Sequence, residues 1–175
     1  MIQDAAEDRL QALLDREAIR DVLMRYARAI DRCDRVLLEG VYWPQAIDNH
    51  GNFSGLALEF IEWVIPRLRG MDQTTHLIGN ILIHVNGSRA SVESYFEAYH
   101  RIRRANRAPY DVFLGGRYVD QMERRNAEWR ILVRDVAFDW VREFEDSADW
   151  SKDVLGLQFK SNRIESDLSY RLDWS

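Results

Sequence analysis

The four segments that decide the fold follow one another in the second half of the chain. They read THLIGNILIHV (75–85), ASVESYFEAYHRI (90–102), DVFLGGRYVDQMERR (111–125) and WRILVRDVAFDWVREF (129–144). Each is rich in β-branched and aromatic residues and alternates apolar with polar side chains, a pattern typical of half-buried strands. Short turns, NGSR (86–89) and NAE (126–128), join the first segment to the second and the third to the fourth. The sequence therefore predicts a meander of four long antiparallel strands.

Amphipathic helices are predicted in the first half of the chain. Between residues 5 and 31, apolar side chains recur every three or four positions, with Asp, Glu and Arg on the other side. A short helix is expected over Val36 to Tyr42, before Pro44, and a third over LALEFIEWVIPRLRG (56–70). Helices followed by strands indicate the α+β class. We expect a cone-like α+β barrel, in which a curved, mostly antiparallel sheet wraps around the N-terminal helices and encloses a pocket.

The length and charge of the chain limit its organisation and its partners. A chain of 175 residues suits one domain, which we place at residues 1–146. Residues 147–175 have weaker periodicity and are expected to form a C-terminal extension that covers the subunit or the pocket mouth. The formal charge of -5 provides no field that would attract a polyanion, so we expect no nucleic-acid partner. The arginine-rich stretch HRIRRANR (100–107) is interpreted as a solvated turn, because no aromatic residues interleave with its arginines.

The cysteine content and the N-terminus bear on the compartment. Cys33 is the only cysteine, so no intramolecular disulfide can form, which favours a reducing compartment. The first twenty residues carry a charge every few positions and lack the apolar run of a signal peptide. No stretch approaches the about 20 apolar residues of a membrane span. We therefore expect a cytoplasmic protein that does not bind a membrane.

Three common kinds of functional motif are missing from the sequence. No His-x-His or His-x3-His spacing offers a metal site. The short motif LGGR (114–117) lacks the third glycine and the helix of a phosphate-binding loop. No G-x-S-x-G motif marks a nucleophilic serine. We expect chemistry that uses neither a metal ion nor a cofactor.

His76 and Asp31 are the first candidates for acid-base chemistry. His76 opens a strand, and alternation places it on the same face as Asn80. Asp31 lies on a stripe of small and apolar residues near a helix C-terminus, where the helix dipole disfavours an anion. A carboxylate that reaches His76 Nδ1 would fix the tautomer and leave Nε2 as a base near neutral pH. The alternatives are a structural histidine and an aspartate that, with Asp34, caps the turn before the next helix.

Four motifs, in this order, carry a resemblance to a known family. The chain resembles the SnoaL-like branch of the nuclear transport factor 2-like superfamily, including relatives of scytalone dehydratase, hexachlorocyclohexane dehydrochlorinase and bile acid 7α-dehydratase. The resemblance covers residues 8–145. It implies a cone-shaped α+β fold and an Asp–His dyad that falls on Asp31 and His76. The motifs are LLDREAIRDVLMRYARAIDRCD (13–34), VYWPQAIDNHG (41–51), TTHLIGN (74–80) and GGRYVDQMERRNAEWRI (115–131).

The resemblance also implies further site residues. Catalytic roles fall on Tyr26 of the first helix and on Arg134 and Arg142 of the last strand. Because Arg134, Phe138 and Arg142 share strand parity, we expect one face to present both guanidinium groups. The aromatic residue of the family's first short strand is replaced here by Asp48. The residues expected to contact the substrate are Asp48, His50, Asn80, Phe96, Leu114, Tyr118 and Phe138.

The leading interpretation is a cofactor-independent lyase that eliminates water or halide from a small hydrophobic cyclic or aromatic molecule. His76 would remove a proton, Asp31 would orient it, and Tyr26 with Arg134 or Arg142 would polarise a carbonyl or assist the leaving group. A ketone isomerase or a retro-aldol-type lyase would use the same pocket. A non-catalytic ligand-binding or assembly domain is the alternative from another class, since a fold does not determine a function. The resemblance further implies a homo-oligomer, either a trimer or a dimer.

Overall fold

One sheet, three α-helices and a short 3-10 helix at Leu168–Arg171 make up the described structure. The computed structural model describes residues 2–145, 162–163 and 166–172. The six strands pair in the order β2-β1-β6-β5-β4-β3, antiparallel except for the parallel pair β1–β6, and the sheet is curved and unclosed. The predicted α+β class with a mostly antiparallel sheet is confirmed. The elements are helices α1 (Ile2–Arg32), α2 (Arg35–Gly40) and α3 (Ala57–Arg69), and strands β1 (Tyr42–His50), β2 (Phe53–Leu56), β3 (Met71–Asn86), β4 (Arg89–Arg104), β5 (Arg107–Arg125) and β6 (Glu128–Glu145).

The core lies between the inner face of the sheet and helices α1 and α3. Both helices bury one apolar stripe, and a fully buried side chain of this kind contributes about 1.5–3 kcal/mol relative to exposure. Near the middle of α1, buried Asp15 accepts hydrogen bonds from the Trp129 indole N–H at 2.8 Å and from Arg124 at 3.0 Å. These contacts fix the position of α1 across the sheet. The buried stripes are Ile19, Val22, Leu23, Tyr26 and Ile30 on α1, and Phe60, Ile61, Val64, Ile65 and Leu68 on α3.

The connection from α1 to β1 is shorter than the sequence pattern predicts. Helix α1 ends where Cys33 adopts a left-handed conformation with φ +53°. Asp34 then caps α2 as predicted, because its carboxylate accepts the Leu37 N–H at 3.0 Å. The predicted helix over Val36 to Tyr42 is wrong at its end, since α2 stops at Gly40 and Tyr42 begins β1. Pro44 lies inside β1, where the register with β6 shifts and a missing N–H is tolerated.

Two bulges change which face of the sheet the side chains occupy. In β3 the register with β4 shifts between Gly79 and Leu82, and Asn80 has φ +48°. In β6, Asp139 is the extra residue, because Gly115 pairs with Trp140 and Gly116 pairs with Phe138. This bulge lies opposite Gly115 and Gly116, and a Cβ at Gly116 would lie 2.1 Å from the Ala137 carbonyl oxygen. Each bulge reverses the inward and outward alternation of the residues beyond it.

The chain after β6 is described only in part. The proposed boundary at residues 146/147 and most of the extension lie outside the described residues. In the described part, Arg163 donates hydrogen bonds to Cys33 Sγ and to the Leu68 carbonyl oxygen, each at 2.8 Å. Tyr170 donates its hydroxyl to Asp34 at 2.7 Å. This part therefore packs at the C-terminal end of α1. Among the described helices, none has the length and apolar character needed to cross a membrane.

Candidate active site

His76 and Asp31 meet through two hydrogen bonds. Asp31 Oδ1 lies 2.8 Å from His76 Nδ1, and Asp31 Oδ2 accepts the backbone N–H of His76, also at 2.8 Å. Both side chains are largely buried, at 8% and 12% exposure respectively. Because an ionised carboxylate only accepts hydrogen bonds, Nδ1 carries the proton and Nε2 is the basic ring nitrogen. One aspartate thus fixes the position and the tautomer of the imidazole.

The two elements that meet here explain the local geometry. Strand β3 is an edge of the sheet, so its outward backbone N–H groups have no neighbouring strand to bind. Asp31, one residue before the end of α1, supplies the missing acceptor at His76. The His76 N–H and the hydrogen-bonded imidazole compensate the unfavourable position of an anion at a helix C-terminus.

A second histidine lies next to the dyad. The ring centres of His100 and His76 are 5.3 Å apart, and His100 is on the inner face of β4. Burial, followed by the nearby His76, lowers the pKa of His100 from 6.5 to about 3. His100 is therefore neutral at physiological pH, and its buried Nε2 has no hydrogen-bond partner among the described residues. A neutral imidazole with a free nitrogen can bind a polar substrate atom beside the base.

Arg134 lies at the bottom of the site in a fully buried ion pair. Its Nε and one terminal nitrogen each bind a different oxygen of Asp120 at 2.7 Å. Its guanidinium carbon lies 4.0 Å and 4.2 Å from the ring centres of Tyr26 and Tyr118. Burial is the main reason why the pKa of Tyr26 is raised, so its hydroxyl stays protonated. The second terminal nitrogen of Arg134 is buried without a hydrogen-bond partner among the described residues.

Strand β1 brings a second carboxylate and imidazole into the site. Asp48 is fully buried, and one of its oxygens accepts the Tyr42 hydroxyl at 2.6 Å. Its other oxygen lies 3.4 Å from His50 Nδ1. The His50 ring stacks on Phe60 with ring centres 5.0 Å apart, and Phe138 contacts it edge-on at 5.8 Å. The side chains of Asp48 and His50 therefore lie on one face of β1.

Most of the predicted site residues come together, and two do not. Phe96, Leu114, Tyr118 and Phe138 are on the inner face of the sheet, the face that also carries His100 and Ile78. Two predictions are wrong for the same reason, because each assumed an uninterrupted strand. The bulge in β3 turns Asn80 to the exposed side, and the bulge in β6 places Arg142 on the outer face, over the Phe144 ring.

Three residues of the site were not predicted. His100 was assigned to a solvated turn, although it is four residues after the inward-facing Phe96, and strand parity alone would have placed it in the site. Asp120 and Tyr42 have no local signal that marks them as partners of Arg134 and Asp48. Both were missed because their side-chain contacts with Arg134 and Asp48 form only when the sheet is assembled.

A cleft of about 770 Å³ opens on the other side of α1, and no residue of the dyad lines it. Its walls include Asp21, Arg25 and Arg28 of α1 and Trp129 of β6. In the part of the chain that the structure describes, no group of three or more His, Cys, Asp or Glu side chains is arranged to hold a metal ion. The candidate site is the inner face of the sheet where His76, His100 and His50 lie near one another.

Residues 11–135 match the family model for the SnoaL-like domain. The chain belongs to the SnoaL-like domain family. Comparison of this SnoaL-like protein with curated protein sequences gave no significant match. The matched range contains Tyr26, Asp31 and His76, as well as the residues of the buried Asp120–Arg134 pair.

Solved structures share the fold of this SnoaL-like protein. A putative scytalone dehydratase from Novosphingobium aromaticivorans has a TM-score of 0.67 and 20% identity, over 77% of this chain and 90% of that chain. The hexachlorocyclohexane dehydrochlorinase LinA-type3 from Novosphingobium barchaimii has a TM-score of 0.67 and 16% identity, over 77% and 93%. A protein of unknown function with a cystatin-like fold from Nostoc punctiforme has a TM-score of 0.60 and 20% identity, over 72% and 92%. At these identities the similarity establishes the fold.

Proposed function

We propose that this protein is a cofactor-independent lyase that starts an elimination by removing a proton from carbon with His76. The observation that carries the proposal is the double hydrogen bond from Asp31, which fixes the imidazole with Nε2 as its basic nitrogen. General base catalysis by such a group typically contributes about 10²–10⁴-fold to a rate. The names of two structural neighbours, a dehydratase and a dehydrochlorinase, also denote eliminations.

The surroundings of His76 suit a small hydrophobic cyclic or aromatic substrate with an acidic C–H bond. Phe96 and Phe138 provide aromatic walls, with ring centres 6.0 Å apart. Neutral His100 supplies a polar contact next to the base, where it can bind the oxygen that gains charge as the proton leaves. Asp31 stabilises the imidazolium that forms on His76.

The positions of the two arginines separate their roles. Arg134 is fully buried and paired with Asp120, so it acts from beneath the site, by holding the Tyr26 and Tyr118 rings in place. Arg142 is exposed on the outer face of the sheet and takes no part in the proposed reaction.

The elimination of 4-nitrophenol from 3-(4-nitrophenoxy)cyclohexanone tests the proposal. This probe has an acidic C–H bond beside a carbonyl, a leaving group at the next carbon, and a product with visible absorbance. We expect the wild type to catalyse the release of 4-nitrophenolate, and His76→Gln to reduce kcat/KM by about 10²-fold or more. His84→Gln is the matched control, because His84 is exposed on the same strand. Equal rates for the wild type and His76→Gln would refute the proposal and favour a binding or assembly domain.

The outer face of the sheet supports a homo-oligomer as the working form. Four aromatic side chains on this face are more than a third exposed, a larger apolar surface than scattered single residues produce. A second copy of the chain is the proposed occupant. Sedimentation equilibrium should give the mass of a dimer or trimer for the wild type and a lower mass for Trp140→Glu. A monomeric wild type would exclude the proposed oligomer. The four residues are Tyr95, Phe113, Trp140 and Phe144.

A further inference from the structure

The fully buried Asp48 and the partly exposed His50 form a carboxylate–imidazole pair that the proposed reaction has not used. The Asp48 oxygen that faces His50, and His50 Nδ1 itself, are both buried and have no hydrogen-bond partner among the described residues. The two atoms are 3.4 Å apart, close enough to attract each other electrostatically. A buried carboxylate oxygen without a hydrogen bond is costly, so such a site is stabilised by a proton or a cation next to it.

A buried ion pair lies beside Asp48 and His50. Asp48 and Arg134 are register partners in the parallel strands β1 and β6, and Arg134 is already engaged by both oxygens of Asp120. Asp48, Asp120 and Arg134 are all fully buried, so two carboxylates share one guanidinium. The Tyr42 hydroxyl donates to the other Asp48 oxygen and leaves the first oxygen facing His50.

His50 lies on the same face of the sheet as His76, and both are close enough to His100 to affect its pKa. Its ring contacts Phe138, and Phe138 in turn contacts Phe96, which pairs with Ile78 two residues after His76. The His50 side chain is 21% exposed, whereas Asp48 is sealed beneath it. The imidazole is therefore the member of the pair that a bound substrate reaches. His76 is on β3, at one edge of the sheet, and His50 is on β1, next to the opposite edge strand. The two imidazoles therefore approach the candidate site from opposite ends of the strand order.

We propose that His50, held by Asp48, is the general acid that protonates the leaving group, and that the substrate therefore loses an oxygen leaving group, such as a hydroxyl, rather than a halide. This inference rests on the proposed function, because it assigns the second proton transfer of the same elimination. A halide departs as a stable anion and gains little from an acid. Hydroxide and alkoxides are poor leaving groups, and a positioned acid contributes about 10²–10⁴-fold to their departure.

The step is balanced within the protein. His76 Nε2 takes the proton from the carbon next to the carbonyl, and the electrons of that C–H bond form the new C=C bond. The C–O bond at the neighbouring carbon breaks, and its electrons take the proton from the His50 imidazolium, so that water or an alcohol leaves. His76 then carries one more proton than at the start, and His50 carries one fewer. Solvent returns both residues to their starting states.

Two probes that differ only in the leaving group test this assignment. 3-Phenoxycyclohexanone loses a basic phenolate that benefits from protonation, whereas 3-(4-nitrophenoxy)cyclohexanone loses a phenolate that departs readily as an anion. We expect His50→Gln to lower kcat/KM for the phenoxy probe by about 10²-fold more than it lowers kcat/KM for the 4-nitrophenoxy probe. His76→Gln should slow both probes. His84→Gln should change neither.

The outcomes separate the two proposals. Suppose that His76→Gln slows the elimination of both probes. If His50→Gln then slows both probes equally, or slows neither probe, His50 is not the acid and only this inference fails. If the wild type shows no His76-dependent elimination of either probe, the proposed function fails and this inference fails with it. Because His50 is packed on Phe60, thermal unfolding of each variant is measured in parallel. His50→Asn is a second variant without an acid and should reproduce the selective loss on the phenoxy probe.

Discussion

Replacing Asp31 with asparagine changes the dyad with little change in shape. The two carboxylate oxygens bind the Nδ1–H and the backbone N–H of His76, each at 2.8 Å. An asparagine has only one acceptor oxygen, so one of the two donors loses its partner. If the amide nitrogen faces Nδ1, the imidazole must adopt the opposite tautomer, with the proton on Nε2. His76 can then no longer accept a proton from the substrate.

The magnitude of this effect has two parts. The loss of one hydrogen bond to a charged group costs about 1.5–3 kcal/mol of folding free energy. At about 2–4 °C per kcal/mol for a domain of this size, the melting temperature falls by about 3–12 °C. The wrong tautomer and the missing charge beside the imidazolium lower kcat/KM by about 10²–10⁴-fold. The variant is therefore expected to fold and to be nearly inactive.

The assay is the release of 4-nitrophenolate from 3-(4-nitrophenoxy)cyclohexanone at 25 °C, with thermal unfolding followed by circular dichroism. Asp21→Asn is the matched control, because Asp21 is exposed on the same helix. We expect wild-type activity and stability for this control. If Asp31→Asn folds and retains the wild-type kcat/KM, the dyad is incidental to the reaction.

Three other predictions concern the architecture of the site. His100 has a pKa of about 3 in the folded protein and 6.5 in the unfolded chain, so the unfolded chain binds more protons between these two pH values. The contribution of neutral His100 to stability is therefore complete above pH 6.5 and is lost as the pH falls toward 3. The loss amounts to at most about 1.4 kcal/mol per pH unit. Urea unfolding at pH 7 and pH 5 should show a smaller loss for His100→Phe than for the wild type, and equal losses would contradict the buried neutral state. Arg134→Met should lower the free energy of unfolding by about 3–5 kcal/mol, because it leaves a buried carboxylate unpaired. Arg142→Met, on the exposed face, should change it by less than about 0.5 kcal/mol. Similar effects of the two substitutions would contradict the placement of these arginines. Gly116→Ala should lower the melting temperature sharply because its Cβ would overlap the Ala137 carbonyl, whereas Gly79→Ala has open space and should not.

The sequence predicted the elements of this fold well, because their patterns are local. Alternating apolar residues and two short turns were sufficient for strands β3 to β6, and the three-to-four-residue period was sufficient for α1. The dyad was predicted from the family resemblance, and the structure places Asp31 and His76 in contact. The N-cap at Asp34 followed from the chemistry of helix ends.

The errors arose where a local pattern depends on the rest of the sheet. A bulge shifts the register by one residue, and nothing in the alternation near Asn80 or Arg142 shows on which side of the bulge each residue lies. Pro44 was predicted to follow a helix, whereas it lies in a strand at a register shift. The partners of Arg134 and Asp48 depend on which strands become neighbours. These contacts are properties of the assembled sheet and cannot be predicted from one segment at a time.

The central claim is that His76 removes a proton from carbon, and a deuterium isotope effect tests it most directly. The probe is 3-(4-nitrophenoxy)cyclohexanone with deuterium at carbon 2, compared with the undeuterated compound on the wild-type protein. Because 4-nitrophenolate departs readily, proton removal limits the rate. We predict a primary isotope effect, in which the deuterated probe has the lower kcat/KM on the wild-type protein. We also predict that His76→Gln abolishes this turnover. Equal rates for the two isotopic forms in a His76-dependent turnover would contradict the claim.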